Sequence, residues 1–180
     1  MRIGDGLVET EVRSQYSAIA IRCGEGLPIT VLHIGKDQCA VAVGASPEPS
    51  AVLTLAIGFN KIAREHFKHV PPTPLELENA IVTVEDEVAH VRIMPTKGSA
   101  LFTTDGAIRE IARIAGVSNS VKMTFTLDAV ERTFERLSAV TQRKSPASDG
   151  LPKRPEFASV LLILREFMHH IQFSSIAVID

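Results

Sequence analysis

Two short turns, Gly24-Glu25-Gly26-Leu27-Pro28 and Gly35-Lys36-Asp37, separate three apolar runs between residues 16 and 44, and no other feature of this chain restricts its fold so strongly. In the first run Ile19, Ile21 and Cys23 alternate with Ala20 and Arg22. In the third, Cys39, Val41 and Val43 alternate with Ala40 and Ala42, and Ile29 to Ile34 supplies the apolar run between them. Alternation with a period of two marks a strand, and strands joined by turns this short lie antiparallel as neighbours. The spacing therefore predicts a three-stranded antiparallel meander over 16–44. With one strand between them, Cys23 and Cys39 would lie about 10 Å apart, two strand spacings. That is too far for a disulfide, and both are expected as small core residues.

Helical periodicity takes over after Ser46-Pro47-Glu48-Pro49, where Leu53, Ala56, Ile57, Ile62 and Ala63 form a stripe up to His66, closed by Val70-Pro71-Pro72. Thr73-Pro74-Leu75-Glu76 is a helix start: Thr73 caps, Pro74 suits the first helical position and Glu76 completes a capping box. Leu77, Ile81, Val84, Val88 and Val91 follow at steps of four and three, so this helix is expected to run to about residue 91, with Pro95 ending any continuation. Ala100 to Thr103 reads as a short strand, Thr104-Asp105-Gly106 as a turn, and Ile108, Ile111, Ile114 and Ala115 as a helix stopped by Gly116. Val121, Met123 and Phe125 alternate with polar neighbours in a half-buried strand, and Asp128-Ala129-Val130-Glu131 opens a helix that ends near Gln142. Residues 144–155, rich in Pro, Ser, Gly and charge, read as a mobile surface loop, since too little chain follows for a second core. An apolar helix over 156–172 and a closing strand over 175–179 complete the order.

That order is α+β, a mixed α/β fold in a single domain spanning 1–180. The meander is continued by a βαβ-containing mixed sheet, packed with about five helices. Its strand–helix–strand unit is expected to form a parallel pair with a right-handed crossover. At 45% hydrophobic and 22% charged residues the chain is globular in composition, and with no Trp and one Tyr its core rests on Ile, Leu, Val and Ala. A net charge of −2 with no basic stripe lacks the footprint of a nucleic-acid binder. No apolar run approaches the ~20 residues that span a bilayer, no apolar region of a secretory signal follows the N-terminus, and two cysteines are too few for a secreted disulfide scaffold. A soluble, cytoplasmic protein with neither nucleic acid nor membrane as partner is expected.

Several side-chain groups bear on chemistry. Glu87 with His90, and Glu166 with His169, are Glu-x-x-His pairs on predicted helices, each pair on one helix face. Dinuclear carboxylate proteins build metal sites from two such pairs plus a Glu from each of two other helices. Glu65, with Glu110, Glu131 or Glu135, supplies candidates for those. The plainer alternative is that the pairs share solvated faces. The run Glu85-Asp86-Glu87 is either a Mg²⁺-type cluster or the wet side of its helix. His66-x-x-His69 lies where a helix frays toward Pro71, as a cation suits a helix C-terminus. His169-His170 is a further cluster, and His33 falls on a strand whose inward face the pattern leaves ambiguous. Thr104, Asp105, Gly106 and Arg109 form a strand-to-helix turn of the kind that suits anions and phosphates, although Asp105 also suits self-capping.

Thr103-Thr104 followed by Ala107-Ile108-Arg109-Glu110 is similar to a Thr-Ser-Ala-Leu-Arg-type segment of the exopolyphosphatase/guanosine-pentaphosphatase family. That family has an actin-like fold, which also begins with three antiparallel strands before its helices. The resemblance implies phosphate handling, with Thr104 and Arg109 at the phosphate and Gly24 and Gly26 in a hairpin near it. The family's opening phosphate loop, of Asp-x-Gly-Ser-Asn type, has no counterpart at Arg22-Cys23-Gly24-Glu25.

Three readings stand, from different classes. The leading one is a non-catalytic ligand-binding or self-associating protein, a homo-oligomer. Its positive support is the segment 157–171, apolar on nearly every side through Leu161, Leu162, Ile163 and Leu164, and so either central or a subunit contact. The alternatives are a phosphate-handling hydrolase, or degenerate relative of one, taking a small anionic ligand, and a helical carboxylate–histidine protein holding a divalent metal. Whether the chain is an enzyme is left open at this level.

Overall fold

A computed structural model describes residues 5–24, 26–95, 97–142 and 150–180. The chain begins with helix α1 (Asp5–Cys23), where the alternation of Ile19, Ile21 and Cys23 had predicted a strand. The longer pattern explains the difference. Val8, Val12, Tyr16, Ile19 and Cys23 recur at steps of four and three, a helical stripe. Val12, Tyr16 and Ile19 are buried along it, whereas Ile21 is 74% exposed. Gly24 then ends the helix at φ 85°, donating its N–H to the Ala20 carbonyl at 3.1 Å. It is a left-handed helix stop rather than part of a hairpin.

The antiparallel meander is present one strand further along: β1 (Ile29–Ile34), β2 (Cys39–Gly44) and β3 (Ala51–Leu55). Leu53 to Ile57, expected as helix, instead supplies β3 and the approach to α2 (Phe59–His66). There follow α3 (Pro74–Val88), ending in a 3-10 turn at Ala89–Val91, then β4 (Ala100–Thr103), α4 (Gly106–Ile114), β5 (Lys122–Thr126), α5 (Leu127–Thr141), α6 (Pro155–Ile171) and β6 (Ser175–Ile179). The Thr73 capping box forms as its sequence predicts, with Thr73 Oγ1 accepting from Glu76 N and Glu76 Oε2 accepting from Thr73 N. Residues 144–149, the first half of the expected loop 144–155, lie outside the described residues.

The six strands form one mixed sheet in the order β3-β2-β1-β4-β6-β5. The fold is thus α+β with a mixed sheet, but its parallel pairs are β1–β4 and β4–β6, not β4–β5. Burial explains the change. β6 is a continuous apolar run buried along four of its five residues, as a strand covered on both faces must be. β5 alternates buried Met123 and Phe125 with exposed neighbours, the pattern of an edge strand, and pairs antiparallel to β6.

Helices cover both faces. On one, α1 lays Val12, Tyr16 and Ile19 against Ile29, Val31, Ala40, Ala42, Phe102, Ala177 and Ile179. On the other, α6 sits at the centre of the remaining helices, in contact with α2, α3, α4 and α5, and buries an unbroken run from Phe157 to Leu164. The apolar helix 155–171 is therefore central. The period of two along β1 sends Ile29 and Val31 toward α1, and Leu32 and Ile34 toward α6 and its neighbours. His33 shares the face of Val31 and so looks toward α1. Cys39 is buried in the core and Cys23 is half-buried against α1's cluster; both thiols are free. No helix among the described residues is long and apolar enough to cross a membrane.

Candidate functional site

Because β1, β4 and β6 run parallel, their carboxyl ends open along one edge of the sheet, where ligands bind in open α/β sheets. A cavity of about 580 Å³ lies there, walled by Val8 and Glu11 of α1, by His33, and by the β1–β2 turn Gly35-Lys36-Asp37-Gln38 with Phe59. The turn is closed by Gly35 N to the Gln38 carbonyl at 3.0 Å. It is held from behind by the first amides of α2, Phe59 N reaching Gly35 O while Asn60 N and Lys61 N reach Lys36 O. Gly58 permits that approach: a Cβ there would lie 2.5 Å from the Lys36 carbonyl oxygen. Asp37 is paired with Arg64 at 3.5 Å, whereas Lys36 is exposed and has no ion pair among the described residues.

Asp105, between β4 and α4, is drawn into the same edge. Its Oδ1 lies 2.7 Å from His33 Nδ1 and its Oδ2 accepts the Ile34 backbone N–H at 2.7 Å. The carboxylate is 8% exposed and is held further by the bond from its own N–H to Thr103 Oγ1 at 3.0 Å. A carboxylate that already accepts a backbone N–H acts toward the imidazole as an acceptor too, so His33 carries its proton on Nδ1 and keeps Nε2 free. Nε2 faces the turn: a Cβ on Gly35 would stand 3.5 Å from it. Burial works to lower the His33 pKa, but the Asp105 hydrogen bond and charge, with a smaller push from Glu11, outweigh it, and the imidazole titrates above its ordinary 6.5. Gln15 of α1 completes the wall behind the ring, with Nε2 3.2 Å from Glu11 Oε1 and from His33 Nδ1. Its buried Oε1 has no hydrogen-bond partner among the described residues.

The anion-type residues read from the sequence fare unequally. Gly106 opens α4 with free space around it, and Thr104 is half-buried. Asp105 fills the helix end with its own negative charge and spends both oxygens on β1 rather than on the amides of α4. Arg109 is a structural clasp. Its guanidinium donates to the Ser120 carbonyl at 2.8 Å and pairs with the Asp180 carboxylate, tying α4 to the ends of β5 and β6. Gly24 and Gly26 lie at the end of α1 and in the turn before β1, not in the hairpin of the crevice.

The metal-type residues are also redistributed. Glu87 Oε2 accepts from Ala56 N at 2.9 Å, His90 Nδ1 lies 3.1 Å from the Glu87 carbonyl, and His169 Nδ1 stands 3.8 Å from Glu131. Among the described residues, the group whose ligand atoms converge, all within 4.8 Å of one another, is Glu85 of α3 with Glu166 and His170 of α6. Burial pushes the Glu166 carboxyl up, Arg165 pulls it down and Glu85 raises it, with a net rise. The productive spacing is four, Glu166 to His170, rather than three. Nothing local marks it, because the third member comes from another helix. The His33–Asp105 pair was equally hidden: its members lie 72 positions apart. The available signal was an Asp directly after one strand and a His near the end of another.

A second hollow, of about 530 Å³, opens at the amino ends of β4 and β6, between Lys97–Phe102 and Ile171–Ser175. Its described lining includes Lys97 and Lys122 but no carboxylate or histidine, and it lies at the opposite end of the parallel strands from the one where open α/β sheets bind ligands. The strand-end crevice is the better site.

Comparison with solved structures bears on this assignment. The Aquifex aeolicus PPX-GPPA enzyme superimposes with a TM-score of 0.78 at 19% identity, over 96% of this chain and 60% of that one. The fold is that of the Ppx/GppA phosphatases. An exopolyphosphatase-like protein matches with a TM-score of 0.70 at 13% identity, over 96% of this chain and 61% of its own. An exopolyphosphatase from Cytophaga hutchinsonii matches with a TM-score of 0.66 at 17% identity, over 97% and 60%. The chain thus spans about three fifths of the length of the solved chains it resembles. No family model and no curated protein sequence matches it.

Proposed function

We propose that this chain is a phosphate-handling domain that takes a small phosphoryl-bearing anion in the crevice at the carboxyl ends of β1 and β4. The observation that carries the reading is the crevice itself: about 580 Å³, with Lys36, which has no ion pair among the described residues, and a His33 that titrates high in its wall. The Ppx/GppA likeness supports it as an analogy of fold. Thr104 and Gly106 flank Asp105 in sequence and do not themselves wall the cavity. Because Asp105 blocks the end of α4, the anion sits over the β1–β2 turn and not on the α4 amides. The two free cysteines suit a reducing compartment, and we assign the chain to the cytoplasm. In a titration with sodium tripolyphosphate followed by amide NMR, shifts are expected at 33–38 and at Asp105. Lys36→Ala should weaken binding about tenfold, the worth of ~1.4 kcal/mol. Absence of shifts at millimolar ligand overturns the reading.

A second reading, a divalent cation held between α3 and α6, is favoured by the convergence of Glu85, Glu166 and His170. There His170 Nε2 lies 3.3 Å from both carboxylates, and Arg165 holds the other oxygen of Glu166. Such an outer-shell contact orients a metal-binding carboxylate. Metal analysis of the purified chain decides it: a stoichiometric ion lost in His170→Ala supports the site, and a metal-free protein with no thermal shift on adding Zn²⁺ or Mn²⁺ removes it.

A further inference from the structure

The crevice contains a pair that binding alone does not need. His33 is gripped on its Nδ1 side by a carboxylate that is itself fixed by a second donor, the Ile34 N–H. The only side of the ring left free for chemistry, Nε2, is turned to the glycine of the loop that lines the cavity. A base oriented by a third group, with its free nitrogen at a cleft, is the arrangement general acid–base catalysis requires. The surroundings are accounted for on every side: Glu11 and Gln15 come from α1, Lys36 and Asp37 from the β1–β2 turn, and Asp105 from the start of α4. Asp37 is neutralised by Arg64, so the groups that hold the imidazolium are Asp105 and Glu11.

We propose that His33 is an acid–base catalytic residue for hydrolysis of the phosphoryl ligand, with Asp105 as its positioning residue. The inference rests on the phosphate-handling reading above. In the step, a water oxygen forms a bond to phosphorus as the bond from phosphorus to the leaving oxygen breaks, its electron pair going to that oxygen. The proton released by the attacking water passes to His33 Nε2. The imidazolium then returns a proton to the leaving oxygen, so the products are phosphate and the free alcohol or shortened chain, and His33 ends neutral. Nothing is oxidised or reduced. Gly35 leaves the path to Nε2 open, and any side chain in its place would stand in it.

The experiment separates binding from turnover. Tripolyphosphate binding and release of inorganic phosphate are measured in parallel from about pH 5 to 9, the range over which a raised histidine titrates. Wild type, His33→Gln and Asp105→Asn are compared, each first checked by its thermal midpoint for folding. The wild-type rate is expected to rise with pH through the His33 pKa. His33→Gln should lose roughly 10²–10⁴-fold in kcat, the usual worth of a general base, while its tripolyphosphate affinity, still held by Lys36, falls by less and loses its dependence on pH. Asp105→Asn should move the rise to lower pH, an effect that a purely structural role does not produce. In the ligand-free protein, ¹⁵N shifts of His33 should report the Nδ1–H tautomer. Binding without hydrolysis at any pH, or His33→Gln hydrolysing at the wild-type rate, overturns the catalytic assignment and leaves the phosphate reading standing. Absence of binding removes both.

Discussion

Asp105→Ala cuts two bonds that cross from the start of α4 to the end of β1, and the structure sets what that costs. One removed partner leaves Ile34 N–H, at a buried strand position, without an acceptor; the other leaves His33 Nδ1–H facing a void. Hydrogen bonds to a charged group contribute about 1.5–3 kcal/mol each, and an orphaned buried donor costs about 1–3 kcal/mol. The two losses share one carboxylate and do not add fully, so about 3 kcal/mol in total is expected. For a chain of this size each kcal/mol moves the midpoint by roughly 2–4 °C, giving a fall on the order of 10 °C. The loss should also depend on pH with a definite sign. His33 is raised above its ordinary value by Asp105, so the charge-pair part of the stability is fully present below the unfolded pKa and fades as pH rises through the folded pKa. Urea unfolding of wild type and variant should therefore show the widest gap near about pH 6 and a narrower one once His33 is neutral. Asp105→Asn keeps an acceptor for Ile34 N–H and should recover part of the loss, but none of its pH dependence. An Ala variant within about 0.5 kcal/mol of wild type, the range of an ordinary surface change, or a gap that is flat with pH, refutes the assignment.

Leu161→Ala on α6 should cost about 2–5 kcal/mol in the same urea assay, because Leu161 is fully buried where four other helices converge and little can collapse into the gap. A cost under about 1 kcal/mol would return this helix to the surface. Gly58→Ala should cost about 1–3 kcal/mol as an overpacked contact, since its Cβ would press on the Lys36 carbonyl, and amide NMR shifts should spread into the Gly35–Gln38 turn. Shifts confined to α2 would mean that the turn is not braced by that helix.

The elements whose signals are self-contained were legible. The Thr73 box names its own cap and its own third residue, and the alternation of Met123 and Phe125 reports one buried face. The apolar run at 176–179 announced a strand but not its place; insertion between β4 and β5 depends on both faces being covered, which is a property of the finished sheet. The first helix is masked in the sequence because three alternating residues at its end compete with a stripe that begins at Val8. Exposed Ile21 alone made the difference between a period of two and one near four. A strand at that end displaces the expected meander by one strand and with it the hairpin. The turn that walls the crevice is Gly35–Gln38, not the Gly24–Gly26 segment. His33 could then only be ambiguous, since its face follows from which helix covers β1.

Binding and base catalysis make opposite demands on His33, and the Asp105 contact sets the balance between them. An anion over the Gly35–Gln38 turn is attracted to the imidazolium, while abstraction of a proton from water needs the neutral ring. With its carboxylate at 2.7 Å, Asp105 shifts the midpoint upward and so favours the charged form more than an ordinary imidazole's surroundings do. A bound phosphoryl group must raise it further, since a ligand that prefers the protonated state stabilises that state by the same free energy. The product of occupancy and neutral base is therefore bell-shaped at subsaturating ligand, while at saturation only the ascending limb set by the base remains. Affinity falling with pH while kcat rises, with both midpoints moving down together in Asp105→Asn, identifies one imidazole behind both effects. Midpoints that move independently assign them to different groups, and Lys36 alone would then carry the anion.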